Sequence, residues 1–189
     1  MKLKAPLILA SQSPRRAQIL RDAGFEFEVI ARDVNEYAPD DLHPRAVAVL
    51  ISENKAKAYN DLASKHVVIT ADTIVGLKNQ RLEKPTNADE AFDMLKQLSG
   101  THHLVVTGVT IFHKGKFRSF SEETRVKFRT LDDAEIRYYV EKYEPFDKAG
   151  GYGIQEWLGL IGVSHIEGDY YNVMGLPMCR LYQELHAFC

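Results

Sequence analysis

Six consecutive residues near the start, Ser11-Gln-Ser-Pro-Arg-Arg16, bring together hydroxyls, two guanidinium forks and a helix-starting proline. Ser13 before Pro14 is the pattern of an N-cap followed by the first helical residue. Backbone N–H groups at such a start point outward, and the helix dipole favours an anion there. Ser11, Ser13, Arg15 and Arg16 would add hydroxyl donors and planar cations suited to phosphate oxygens. The same residues also make a capped surface helix with solvated arginines, so the motif alone leaves both readings open.

Four other positions bear on that choice. Asp72, with Thr73 behind it, follows the apolar run His66-Val-Val-Ile-Thr70. A carboxylate at the carboxyl end of a strand lies where open α/β sheets bind ligands. There it holds a divalent cation or orients a water, or it simply caps the next turn. Lys55 shares a helical face with Ile51, Ala58 and Leu62, where an ammonium is expensive unless it snorkels out or meets an anion. Its neighbour Lys57 points elsewhere, as a solvated side chain. Lys84, before Pro85, supplies one more cation. Gln155 offers a donor and an acceptor, suited to reading a base edge. Tyr152, Trp157, Tyr170 and Tyr171 could stack on a base or complete a core.

These residues need elements to hold them. Met1 to Ala10 reads as a first strand with Leu7-Ile-Leu-Ala10 buried, and Pro14 to Ala23 as a helix ended by Gly24. Phe25 to Ala31 is expected as a second strand, Asp33 to Pro44 as a loop, and Pro44 to Ser64 as a long helix. His66 to Thr70 is a strand delivering Asp72 at its end, and Ile74–Leu77 with Arg81–Glu83 flank a hairpin at Lys78-Asn-Gln80. Asn87 or Asp89 caps a helix closed by Gly100. Two strands, Leu104 to His113 and Lys116 to Phe128, turn at Lys114-Gly115. Asp132 or Asp133 starts a helix, a glycine- and aromatic-rich stretch runs from Pro145, and a last helix covers Pro177 to His186. The fold class is α/β: a mixed, twisted central sheet with flanking helices, in one domain over residues 1–189.

Composition removes several functions. Of 189 residues, 24 are basic and 26 acidic, which argues against a nucleic-acid coat or a membrane-surface binder. No run approaches the ~18 apolar residues that span a bilayer. Cys179 and Cys189 have no CxxC or histidine partner, and His102-His103 has no spaced ligand, so a zinc site is not expected. A cytoplasmic setting is the simplest reading. P-loop, dinucleotide, nucleophile-elbow and zincin signatures are missing.

Taken together, Leu9-Ala-Ser-Gln-Ser-Pro-Arg-Arg16, Asn54-Lys-Ala-Lys57, Ala71-Asp-Thr-Ile-Val75, Glu83-Lys-Pro85, Met94-Leu-Lys-Gln-Leu-Ser-Gly100, Asp147-Lys-Ala-Gly-Gly-Tyr-Gly-Ile-Gln155 and Tyr171-Asn-Val-Met-Gly-Leu-Pro177 resemble the Maf family of nucleoside-triphosphate pyrophosphatases. The resemblance implies two lobes around a cleft, a homodimer, and cleavage between the α- and β-phosphates as nucleotide house-cleaning. It implies Asp72 as proton acceptor, and Ser11, Ser13, Arg15, Arg16, Lys55 and Lys84 as phosphate binders. A divalent metal, Mg²⁺ or Mn²⁺, would be held by Asp72 and Glu36. At the specificity positions, Arg15, Thr73 and Gln155 resemble the subgroup acting on dTTP and UTP. Asn87 and Glu156 depart from the family pattern, which commonly has Asp and Gly there. Two other readings stay open: a relative acting on 7-methyl-GTP, and a non-catalytic regulator of septum formation.

Overall fold

The computed structural model describes residues 3–39, 42–78 and 80–188. The expectations touching Met1, Lys2, Asp40, Asp41, Asn79 and Cys189 therefore lie outside the described residues. In chain order the elements are β1 (Leu7–Leu9), α1 (Pro14–Asp22), β2 (Glu28–Val29), α2 (Pro44–Lys57), β3 (Val67–Leu77) and β4 (Gln80–Leu82). They continue with α3 (Ala88–Leu98), β5 (His102–His113), β6 (Lys116–Phe128), α4 (Asp133–Tyr143) and a 3-10 turn at Ala149–Gly151. The last are α5 (Trp157–Gly162), β7 (Val163–Glu167), α6 (Tyr170–Met174) and α7 (Met178–Phe188).

The strands form one mixed seven-stranded sheet in the order β2-β1-β3-β5-β6-β7, with β4 also pairing β3. β1 lies parallel to both neighbours, in register Leu7 to Val67 and Ile8 to Glu28. β4 and β7 run antiparallel to their partners. This is the mixed α/β class expected from the sequence.

The chain divides into two compact units. The first comprises Met1–Asp72, Thr107–Glu122 and Gly175–Cys189. Its core gathers Ile8, Ala10, Ala56, Tyr59, Ala63, Val68 and Phe112. Gly108 lets the backbones of β5 and α2 meet, since a Cβ there would lie 2.2 Å from the Ala48 carbonyl carbon. The second comprises Thr73–Val106 and Glu123–Met174. There α3 places Ala91, Leu95 and Leu98 on one face, at helical spacing, against Val105, Phe128 and Tyr139. Each of those leucines contributes about 1.5–3 kcal/mol by burial.

Local signals explain the boundaries. Ser13 caps α1 with Pro14 behind it, and Asn87 caps α3 through the Glu90 N–H. Asp132 and Glu135 form a reciprocal capping box at the start of α4. Lys114 and Gly115 both take positive φ, 48° and 74°, as a tight primed hairpin turn requires.

Several expected elements changed extent. The second strand is only Glu28–Val29, since β1 offers it three residues. α2 ends at Lys57 and not Ser64. Beyond it the N–H groups of Ala58, Tyr59 and Asn60 bond three residues back, and the Tyr59 hydroxyl donates to the Ile30 carbonyl at 2.9 Å, turning the chain away. Ala58 and Leu62 therefore lie past the helix that carries Lys55. β3 continues to Leu77, because Ile74, Val75 and Leu77 stay buried, so Asp72 sits within the strand and not at its end. α5, β7 and α6 appear in the glycine- and aromatic-rich stretch, to which the sequence pattern assigned no element.

Candidate functional site

In the first unit, β1 is wholly buried and ends where the Ala10 N–H bonds the Ile69 carbonyl, at 2.8 Å. The chain then releases Ser11, itself buried. Its Oγ accepts from the Ser13 N–H at 3.2 Å and from Arg16 Nη1 at 3.1 Å. With both lone pairs engaged, the hydroxyl retains its proton for donation. Arg16 Nε donates to the Gly175 carbonyl at 2.8 Å, which aims the guanidinium from a second side. Burial lowers the Arg16 pKa, Asp72 and Glu36 oppose that shift, and Arg15 adds to it. Arg15 is partly buried on α1, and Ser13 Oγ serves as the cap.

Lys55 occupies the last turn of α2, where a cation is favoured by the helix dipole. Its Nζ donates to Asp72 Oδ1 at 2.7 Å and meets Glu36 Oε1 at 2.8 Å. The Lys55 and Asp72 side chains are only 15% and 13% exposed, whereas Glu36 is 49% exposed. Buried hydroxyls set this register. Thr70 Oγ1 donates to the Ser52 carbonyl at 2.6 Å, and Ser52 and Thr110 share a hydrogen bond of 2.8 Å. Thr70 and Asp72, two apart on β3, share a face, and Ser52 and Lys55 stand three apart on α2. The helix–strand clasp at Thr70 therefore continues into the ion pair at Asp72. Sequence alone did not single out Ser52, Thr70, Thr110 or the Gly175 carbonyl. The Met-Gly-Leu-Pro run was the one available pointer to Gly175.

The two expected metal ligands thus do come together, on an ammonium. Among the described residues, no group of three or more His, Cys, Asp or Glu side chains forms a preassembled metal site. Two hard carboxylates suit Mg²⁺, which keeps waters and takes one or two protein carboxylates alongside substrate phosphates.

Thr73, Lys84 and Gln155 belong to the second unit. Thr73 is partly buried on β3, and Lys84 is exposed just beyond β4. Gln155 occupies a turn closed by the Glu156 N–H on the Gly153 carbonyl, at 3.0 Å. Its Oε1 is buried and has no hydrogen-bond partner. Around the turn, Glu156 Oε2 accepts from the Tyr139 hydroxyl, and Lys148 Nζ lies 3.3 Å from Glu156 Oε1. Burial pushes the Tyr139 phenol up, and Glu156 adds to the shift. Tyr152 is a core residue: its hydroxyl meets His103 Nε2 at 2.6 Å, so it is not available to stack on a base. Trp157 packs edge-on against Tyr138, while Tyr170 and Tyr171 stay exposed. The Asn172 amide donates to the Val105 carbonyl and to Thr124, closing the second unit's core.

A sequence model of the Maf family, described as Maf-like protein, matches residues 6–188. A dTTP/UTP pyrophosphatase from Parabacteroides distasonis is 48% identical over 187 residues, covering 98% of this chain and 97% of the relative. One of the same description from Phocaeicola vulgatus is 49% identical, covering 96% and 95%. A third, from Cytophaga hutchinsonii, is 48% identical, covering 95% and 82%. The likeness runs almost from end to end, and the matched residues 6–188 span the strand–helix turn and the α2–β3 ion pair just described: the chain belongs to the Maf family.

Proposed function

We propose that this protein hydrolyses dTTP and UTP to the monophosphate and pyrophosphate, with Asp72 as the proton acceptor. The observation that carries the reading is the partly buried Asp72–Lys55–Glu36 cluster, in the same unit as the Ser11–Arg16 anion grip. Relatives at 48–49% identity are described as dTTP/UTP pyrophosphatases, which supports the same activity here.

In this reading a water oxygen attacks the α-phosphorus, the bond to the α–β bridging oxygen breaks, and pyrophosphate leaves. Asp72 takes the proton of the attacking water. Ser11, Ser13, Arg15 and Arg16 hold phosphate oxygens, and Lys55 and Lys84 add charge. Such transfers are mainly a matter of placement and charge neutralisation. Asp72 and Glu36 would hold a divalent cation, Mg²⁺ or Mn²⁺. When bound, that ion neutralises phosphate charge and sharpens the water's acidity. Lys55 keeps the two carboxylates close together before substrate arrives. Gln155 pairs with the uracil or thymine edge, its unpartnered Oε1 accepting the ring N3–H, with Arg15 and Thr73 completing base selection. Residues 1–189 act as one functional domain, cytoplasmic and paired as a homodimer.

A pyrophosphate-release screen tests this over dTTP, UTP, dCTP, ATP, GTP and 7-methyl-GTP, with Mg²⁺ and Mn²⁺ in turn. The expected result is preference for dTTP and UTP, with Asp72→Asn lowering kcat at least ~10²-fold. Preference for 7-methyl-GTP, or near-normal turnover by Asp72→Asn, would overturn the assignment. Tight nucleotide binding without pyrophosphate release would point to the regulator instead.

A further inference from the structure

The loop around Gln155 contains a charged group that the proposed reaction does not use. Tyr139 ties the two ends of the Gly153–Glu156 turn together: its Oη accepts from the Gly153 N–H at 3.0 Å and donates to Glu156 Oε2. Lys148, buried, stands against Glu156 Oε1 at 3.3 Å and donates to Asp147 at 2.6 Å. The Glu156 side chain is 19% exposed, so its carboxylate is fixed and partly desolvated. Gly153 leaves room beside it. A Cβ on Gly153 would meet Gln155 Nε2 at 2.9 Å and Glu156 Oε2 at 3.0 Å, so the amide nitrogen and the carboxylate flank the same bare patch of backbone.

An amide can be turned either way round at almost no steric cost, so its surroundings decide which end is the acceptor. Here a carboxylate lies on the Nε2 side. Turning the amide over would bring Oε1, the negative end of the dipole, toward Glu156 in a poorly solvated setting. The side opposite the carboxylate is thereby left with Oε1, the atom that is buried without a partner. A sequestered acceptor gains more from an incoming N–H than one already satisfied by water.

From this geometry we infer that Glu156 is a specificity-positioning residue, whose negative charge locks the Gln155 amide with Oε1 as the base-reading acceptor. The inference rests on Gln155 reading the base. It deepens that reading by naming which pyrimidines are separated. Uracil and thymine carry a donor at N3 and match Oε1. Cytosine carries an acceptor there and sets a lone pair against it. Glu156 thus discriminates uracil and thymine from cytosine without touching either.

The test compares kcat/KM for dTTP and dCTP, with kcat and KM resolved separately, in the wild type, Glu156→Gln, Glu156→Ala, Tyr139→Phe and Gln155→Ala. Glu156→Gln keeps the shape and an acceptor for Tyr139 but loses the charge. It is expected to lower the dTTP:dCTP ratio roughly tenfold, mainly through KM, because the amide becomes free to turn. Glu156→Ala should do the same and serves if Glu156→Gln is insoluble. Tyr139→Phe removes a tie of the turn while leaving the carboxylate, so it should unfold at lower urea yet keep the preference. An unchanged ratio in both Glu156 variants, or an equal loss of preference in Tyr139→Phe, overturns the inference. If Gln155→Ala abolishes the preference while the Glu156 variants keep it, Glu156 has no such role and the reading of Gln155 stands. If Gln155→Ala leaves the preference intact, the base-reading assignment itself falls.

Discussion

Replacing Lys55 by methionine removes the ammonium that joins Asp72 and Glu36 while keeping most of the stem volume. Nζ sits 2.7 Å from Asp72 Oδ1, with the two side chains only 15% and 13% exposed. A charge-assisted hydrogen bond in that setting is worth about 1.5–3 kcal/mol. The contact to Glu36, at 2.8 Å but on a side chain 49% exposed, adds only about 0–1 kcal/mol. The net loss is about 1.5–4 kcal/mol. For a chain of this length each kcal/mol moves Tm by about 2–4 °C, so a fall of roughly 3–16 °C is expected. The assay is calorimetric melting in chelator-treated buffer of the wild type, Lys55→Met, Asp72→Asn and the double variant. Because the two side chains touch, the double variant should lose about 1.5–3 kcal/mol less than the two singles together. Additivity within about 0.5 kcal/mol would show that the ion pair carries no energy, and that Lys55 is held by its helix alone. Raising Mg²⁺ should also lift the Tm of Lys55→Met more than that of the wild type, since two neighbouring carboxylates lack their cation.

The buried His103 has its pKa lowered to about 4, mainly by desolvation and then by His102. The unfolded chain, titrating near 6.5, takes up the proton first, so stability falls as pH drops from about 6.5 to about 4 and the loss then levels off, amounting to about 2–4 kcal/mol. His103→Leu should flatten that slope in urea midpoints measured from pH 7 to 4; an equally steep slope would refute the assignment. At Gly108, a Cβ would lie 2.2 Å from both the carbonyl carbon and oxygen of Ala48. Gly108→Ala must therefore push α2 from β5 and should cost about 3 kcal/mol or more, read from the urea midpoint. It should also lower turnover by displacing Lys55, and a near-native midpoint would show that the approach can relax.

Much of this was legible from residue types, for identifiable reasons. Caps announce themselves: Ser13-Pro14, Asn87 and Asp132 begin their helices where the sequence indicated. The Lys114-Gly115 turn carried its own backbone chemistry. Lys55 was conspicuous because an ammonium near Ile51 needs a partner; Ala58 and Leu62 lie past its helix, and the partners are Asp72 and Glu36. What stayed hidden depended on tertiary contact. The end of α2 is drawn by Tyr59 reaching Ile30, which no periodicity encodes. Residues after Gly153 looked irregular because α5 has six residues and α6 five, too short to display a repeat. The Ser52–Thr70 clasp and the Arg16–Gly175 bond join residues 18 and 159 positions apart, a separation at which side-chain type says nothing about pairing.

The Arg16–Gly175 bond has a consequence for the order of events during synthesis. The arginine is made in the first tenth of the chain, and the carbonyl that orients it is absent until residue 175. A nascent chain emerging from the ribosome can form β1 and α1 early, yet it cannot fix that guanidinium until translation is almost complete. The proposed phosphate grip thus matures last although its sequence comes first. A chain that stops before Gly175 keeps the motif but loses the carbonyl that orients Arg16, together with the buried Leu176, Leu181 and Leu185.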